Sequence, residues 1–331
     1  MVETKSITEI KPLDEENYAD LMTTVVEPAL ASVRRDGYMT FESGRKIHYE
    51  YYLCPNARAS IVVSHGFTES AEKFREMDYY FLQAGYNVFA IDHRGHGYSS
   101  REVEDNAVAH VERFSGYVGD LNAYVENVVK PHSEGLPLYI YAHSMGGAIA
   151  TLYIQQFPDV FKKAALSAPM ISPQTAGFPH WVTRTMTTFF RLVGKGKQMV
   201  FTEKGFNPDA TYETSHDTSK ARFDYYYNKR RNTTQYQTCG ASYNWVDQSL
   251  RIIPKMLDPK NCERITAKVM LFQPAEDASV EMEPQVEFIS KVKGGRLVRI
   301  PNSRHEIYMS VNEALEIYLK TLFAFLAEED V

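Results

Sequence analysis

One stretch constrains this chain more than any other: Leu138-Tyr-Ile-Tyr-Ala-His-Ser-Met-Gly-Gly-Ala148. Its apolar and aromatic first half reads as a buried strand, and small helix-compatible residues follow at once. Ser144 must then occupy a sharp strand-to-helix turn. The positions two residues to either side have to be small for the chain to reverse there, and they are Ala142 and Gly146. The usual pattern is G-x-S-x-G, so Ala142 departs from it in identity but not in size. A serine so placed sits at a helix N-terminus, where backbone N–H groups face developing negative charge. That makes Ser144 a candidate nucleophile.

The rest of the chain supplies a matching frame. Lys46–Leu53 alternates partly and reads as an exposed edge strand. Short apolar runs follow at Ser60–Ser64, Asn87–Asp92, Leu138–Ala142, Lys163–Ala168, Lys268–Gln273 and Arg296–Ile300. Runs apolar on both faces suggest strands covered on both sides, as in a parallel sheet. Helical periodicity lies between them: Glu69 to Leu82, Gly116 to Val129 with a stop at Pro131, Gly146 to Phe157, and Val311 to Leu326. This alternation predicts an α/β fold with a mostly parallel, doubly wound sheet.

The rhythm breaks between residues 172 and 261, where aromatics are dense and both tryptophans, Trp181 and Trp245, fall. We read this stretch as a mostly helical insertion over the sheet. The expected organisation is an N-terminal segment with a short helix (1–35), a first core part (36–171), the insertion (172–261) and a second core part (262–331).

A serine needs a base, and the base needs an orienting acid. In this architecture they follow in the order Ser, Asp or Glu, His. After Ser144 come His180, His216 and His305. The first two lie in the insertion. His305 follows the last predicted strand, at the carboxyl edge of the sheet. The strand before it runs into Pro274-Ala-Glu-Asp277, so Asp277 is the expected acid and Glu276 fits the same position. An oxyanion hole needs two backbone donors. Met145, next to the serine, is one. Phe67, after Gly66 at the end of the Ser60–Ser64 strand, is the other.

Composition bounds the rest. The chain has 331 residues, 44% hydrophobic and 24% charged, with a net charge of −6. A negative balance gives no footprint for nucleic acid. Cys54, Cys239 and Cys262 are scattered, which argues against a disulfide framework or a thiolate metal site and for a reducing compartment. No cofactor or metal is expected. The expected location is cytoplasmic, peripheral at most to the inner membrane. His93 and His96 read as parts of a structural turn, and Lys229-Arg-Arg231 as a solvated face.

Together His65-Gly-Phe67, Asp92-His-Arg-Gly-His-Gly-Tyr-Ser99, His143-Ser-Met-Gly-Gly147, Asp277 and His305-Glu306 resemble the α/β-hydrolase superfamily. The nearest group is the bacterial lysophospholipases and the related monoacylglycerol lipases. His110–Asp120, Ala142–Ala150 and Gly240–Val246 favour the lysophospholipase side. The resemblance implies an eight-stranded sheet, a helical cap and a carboxylic-ester hydrolase with Ser144, Asp277 and His305 as its triad. It implies a lipid-like ester as substrate, with transient contact to a membrane surface or micelle. A monoacylglycerol lipase, a small-molecule carboxylesterase or a thioesterase would share the constellation. A receptor without turnover, built on the same scaffold, is the rival of a different class. Dehalogenases and epoxide hydrolases normally use Asp as the nucleophile, so Ser144 argues against them.

Overall fold

The computed structural model describes residues 2–215 and 217–330, so His216 lies outside the described residues. Its strands are β1 (Arg34–Thr40), β2 (Lys46–Tyr52), β3 (Ser60–Ser64), β4 (Asn87–Ile91), β5 (Val108–Ala109), β6 (Leu138–His143), β7 (Lys163–Ser167), β8 (Gly240–Ala241), β9 (Lys268–Pro274) and β10 (Arg296–Ile300). Eight of them form one sheet in the order β1-β2-β4-β3-β6-β7-β9-β10. β2 pairs antiparallel with both β1 and β4, and every other pairing in the sheet is parallel. This is the α/β-hydrolase fold.

Alternation along the strands sorts the core into two layers. On β3, Val62 joins the layer that contains Leu121, Ile149 and Phe288, from helices on one face. Its neighbours Ile61 and Val63 join the other layer, with Phe81 and Leu319. The apolar runs are continuous because both faces of each central strand are covered.

Three local expectations need correction. Lys46–Tyr52 is not the edge: β1 lies outside it. β1 reads Arg-Arg-Asp-Gly-Tyr-Met-Thr and is mostly exposed, so no apolar rhythm announces it. The Gly116 helix does not stop at Pro131 but continues through Lys130–Ser133 to Glu134, at φ +51°. A wide π turn over Val125–Val129 precedes this proline, and another over Met22–Val26 precedes Pro28. Such a turn shifts the hydrogen-bond ladder at the point where proline would clash with it. Finally, Lys229-Arg-Arg231 is no freely solvated face. Lys229 pairs with Glu27 and Glu72, Arg230 donates to the Tyr236 and Thr238 carbonyls, and Arg231 donates to that of Pro208.

Between β7 and β9 the chain builds the helices His180–Leu192, Lys220–Asn232 and Tyr243–Met256. They are anchored unequally. Arg222 is fully buried and bonds Glu76 at 2.8 and 2.9 Å, the Ser310 carbonyl at 3.0 Å and Asn312 at 3.0 Å. The His180–Leu192 helix buries only Thr187 and leans on the Tyr243–Met256 helix through a Phe190–Tyr243 stack at 4.2 Å. β8, in the same stretch, pairs with β5 and ties it to the loop beyond β4.

Candidate active site

The site forms where β3, β6, β9 and β10 end. Ser144 has φ +49° and ψ −116°, a conformation side chains rarely adopt. The turn is held by three backbone bonds. The Ser144 N–H donates to the Ser167 carbonyl at 3.1 Å, and the Ser144 carbonyl accepts from Ala148 at 3.1 Å and Met170 at 2.9 Å. The glycines after it are steric necessities. A Cβ on Gly146 would lie 2.1 Å from the Ser64 carbonyl oxygen, and one on Gly147 would lie 2.6 Å from Pro169. Ala142, by contrast, sits inside β6 opposite Ser64 and Leu166, where a methyl group fits.

The structure brings Ser144, His305 and Asp277 into one chain of hydrogen bonds. His305 Nε2 lies 2.9 Å from Ser144 Oγ, and His305 Nδ1 lies 2.8 Å from Asp277 Oδ2. Asp277 Oδ1 accepts the N–H groups of Ser279 at 2.8 Å and Val280 at 3.0 Å. Burial would raise the Asp277 carboxyl, but the bond and charge of His305 and these two N–H groups hold it below the usual carboxylate range. Glu276 is exposed and its side chain reaches neither His305 nor Ser144. His180 faces away, 3.6 Å from Glu281.

The two expected backbone donors belong to Met145, next to the serine, and to Phe67, which lines one cavity with it. Met145 opens the Met145–Gln156 helix, so its N–H has no intrahelical acceptor. The Phe67 N–H likewise has no acceptor among the described residues. The Phe67 ring stacks on Trp245 with centroids 4.3 Å apart, and Trp245 Nε1–H donates to the Tyr117 hydroxyl at 3.2 Å. A residue of the 172–261 stretch thus rests directly on the loop that carries Phe67.

A buried polar network that the sequence reading assigned no role lies behind these groups. Glu69 Oε2 accepts the Gly66 N–H at 2.5 Å and meets His143 Nδ1 at 3.1 Å. His143 Nε2 lies 3.2 Å from the carbonyl oxygen of His305. Tyr308 donates to Glu69 Oε1 at 2.6 Å, and Lys73 bridges Glu69 and Glu306 at 3.4 and 2.5 Å. Burial alone would make His143 less basic, but the charge of Glu69 and the hydrogen bond to it raise it. Burial would raise Glu69, and the charges of His143 and Lys73 reverse that and hold it well below the ordinary range. One ion pair therefore touches both the Phe67 loop and the backbone of His305. Its only sequence signal was His143, a polar residue inside an otherwise apolar strand. His93 and His96 take no part: they bond Ser64 Oγ at 2.8 Å and the Arg94 carbonyl at 3.0 Å.

A cavity of about 330 Å³ opens onto Ser144, walled by Phe67, Met170, Phe178, Tyr243, Trp245 and Val280 among others. Among the described residues no helix is long and apolar enough to cross a membrane.

Comparison with known proteins shows the family and the fold. Residues 55–312 match the family described as serine aminopeptidase, S33. Lysophospholipase L2 of Escherichia coli strain K12 is 30% identical over 287 residues, covering 80% of this chain and 79% of that protein. Human monoglyceride lipase is 32% identical over 153 residues, covering 46% of this chain and 45% of that protein. Among solved structures, a soluble variant of monoglyceride lipase from Saccharomyces cerevisiae, bound to a substrate analog, superposes with a TM-score of 0.70. The two are 19% identical, with 89% of this chain and 94% of that one covered.

Proposed function

The chain belongs to the serine aminopeptidase S33 family of α/β-hydrolases and is a lysophospholipase-like carboxylic ester hydrolase, and from that premise we propose that Ser144 cleaves the acyl ester of a lysophospholipid. The observation that carries the mechanism is the continuous Ser144–His305–Asp277 chain at 2.9 and 2.8 Å. The choice of substrate follows the 30% identity to lysophospholipase L2 over 80% of this chain.

In the proposed reaction Ser144 Oγ attacks the ester carbonyl carbon while His305 Nε2 accepts its proton. The carbonyl oxygen becomes an oxyanion facing the Phe67 and Met145 N–H groups. His305 returns the proton to the departing alcohol, leaving an acyl ester on Ser144. Water, activated by His305, then releases the fatty acid and restores the serine. Asp277 keeps Nδ1 protonated and stabilises the imidazolium. The acyl chain occupies the apolar cavity, where each buried methylene contributes about 0.8 kcal/mol. Residues 172–261 act as the cap.

The outer cap helix supports contact with a lipid surface. Trp181, Phe189 and Leu192 are 73%, 58% and 77% exposed on it. Residues 171–202 hold Arg184, Arg191, Lys195 and Lys197 and no acid, in a chain of net charge −6. An apolar stripe with basic flanks fits the boundary of an anionic bilayer.

A second reading is a monoacylglycerol lipase. Among the described residues no lysine or arginine lines the cavity walls, which favours it, because none of them offers a charge to a phosphate inside. Fatty-acid release from a lysophospholipid and a monoacylglycerol of the same acyl chain separates the two. We expect a higher kcat/KM on the lysophospholipid and none with Ser144→Ala. The reverse preference moves the substrate to neutral lipids, and unchanged release by Ser144→Ala removes the mechanism.

A further inference from the structure

Among the described residues, Glu203 is the one carboxylate lining the cavity, and no lysine, arginine or histidine lines it. Its Oε2 accepts the Ala241 N–H at 2.7 Å. Gly240 makes room for this approach, since a Cβ there would lie 2.8 Å from Oε2. The other oxygen, Oε1, has no hydrogen-bond partner among the described residues and is not sealed off from solvent. Burial pushes this carboxyl up to about 7, against a smaller lowering by the Ala241 N–H. It is an acid held beside apolar walls without a counter-charge.

Its position marks the mouth of the cavity. Phe201, two residues earlier, lines the same cavity and is 62% exposed, whereas Tyr243 and Trp245 behind it are buried. If the acyl chain takes the covered side beside Trp245, the polar end of the substrate falls on the open side, with Phe201 and Glu203. A carboxylate attracts an ammonium group by charge, and Phe201, Tyr243 and Trp245 on the same cavity wall offer ring faces that attract it as well. The carboxylate repels a net anionic group. The neighbouring Lys204, exposed to solvent, offers a charge for the phosphate outside the cavity.

We propose that Glu203 is a headgroup-selecting residue that binds the ammonium group of a zwitterionic lysophospholipid at the cavity mouth. This rests on the lysophospholipase reading above. It also reconciles that reading with walls that hold no base among the described residues: the cavity recognises the cationic end of the headgroup and leaves the phosphate outside, beside Lys204.

The test uses lysophosphatidylcholine, lysophosphatidylglycerol and monoacylglycerol with one acyl chain, each below its micellar concentration. KM and kcat are measured for the wild type, Glu203→Gln and Glu203→Asp, with thermal melts to confirm folding. The wild type should show a KM about tenfold lower for the choline than for the phosphoglycerol headgroup. Glu203→Gln should bring that ratio close to one, and Glu203→Asp should restore part of it. A ratio unchanged in Glu203→Gln, or a KM raised equally for all three substrates, overturns the proposal. If the wild type cleaves only the monoacylglycerol, the lysophospholipase reading itself fails, and the inertness of both phospholipids identifies that failure.

Discussion

At Asp277 two backbone N–H groups and one imidazole converge on a single carboxylate. Asparagine there keeps the shape but offers an amide to His305, which favours the wrong tautomer. Asp277→Asn should lower kcat on the order of 10⁴-fold with the fold intact; a loss below tenfold, measured by fatty-acid release, would return Glu276 to consideration. The Glu69–His143 pair makes a second residue-scale prediction. Because His143 is more basic folded than unfolded and Glu69 more acidic, the pair's contribution is complete between about pH 4.3 and 6.5, the ordinary glutamate and histidine values; it fades as pH rises through the raised histidine value and as it falls toward the lowered carboxylate one. Glu69→Gln should therefore cost about 3 kcal/mol near pH 6 and less in alkali. Denaturant melts across pH check this, and a loss independent of pH contradicts it. Sequence alone singled out Ser144, His305 and Asp277 because strand-end motifs and chain order reach them. It passed over Glu69 and Lys73, whose partners stand far off in the chain and meet only when the sheet closes.

Among the elements, the turn into the Met145–Gln156 helix leaves least freedom. Gly146→Ala would push its methyl group against the carbonyls of Ser64 and His65, both backbone atoms. We expect a destabilisation of at least about 2 kcal/mol and a loss of activity, since β3 and the Phe67 loop must move apart. A normal melting temperature with full turnover would show that the elbow is looser than its distances. The central strands were legible in the sequence to within a residue or so at each end, because burial on both faces leaves an unbroken apolar run. β1 was not, because its polar residues face water and only pairing with β2 makes it a strand. The helix through Pro131 was misread for a related reason: its π turn has no sequence signature of its own.

For the whole molecule the unequal anchoring of residues 172–261 matters most. Arg222 fixes the Lys220–Asn232 helix to Glu76 and to the segment after the His305 loop, whereas the His180–Leu192 helix presents its apolar stripe outward. Replacing Trp181 and Leu192 by serine should weaken binding to anionic vesicles by tenfold or more, from the apolar area lost. Turnover of a short soluble ester should stay within about twofold, because neither residue touches the Ser144 cavity. Equal vesicle binding by the double variant would place the lipid contact elsewhere. The division of residues 172–261 into anchored and outward helices could not be read from the sequence. Aromatics crowd both parts, and only the fold decides which of them are covered.

The central claim is that a lysophospholipid is cleaved through an ester on Ser144. Rapid acid quench of the enzyme with an excess of lysophosphatidylcholine, followed by peptide mass spectrometry, tests it directly. The account predicts an acyl adduct on the peptide containing Ser144, formed before steady fatty-acid release. Both adduct and release should be absent in Ser144→Ala. Fatty acid released by Ser144→Ala at the wild-type rate, or an acyl adduct on any other residue, would contradict it.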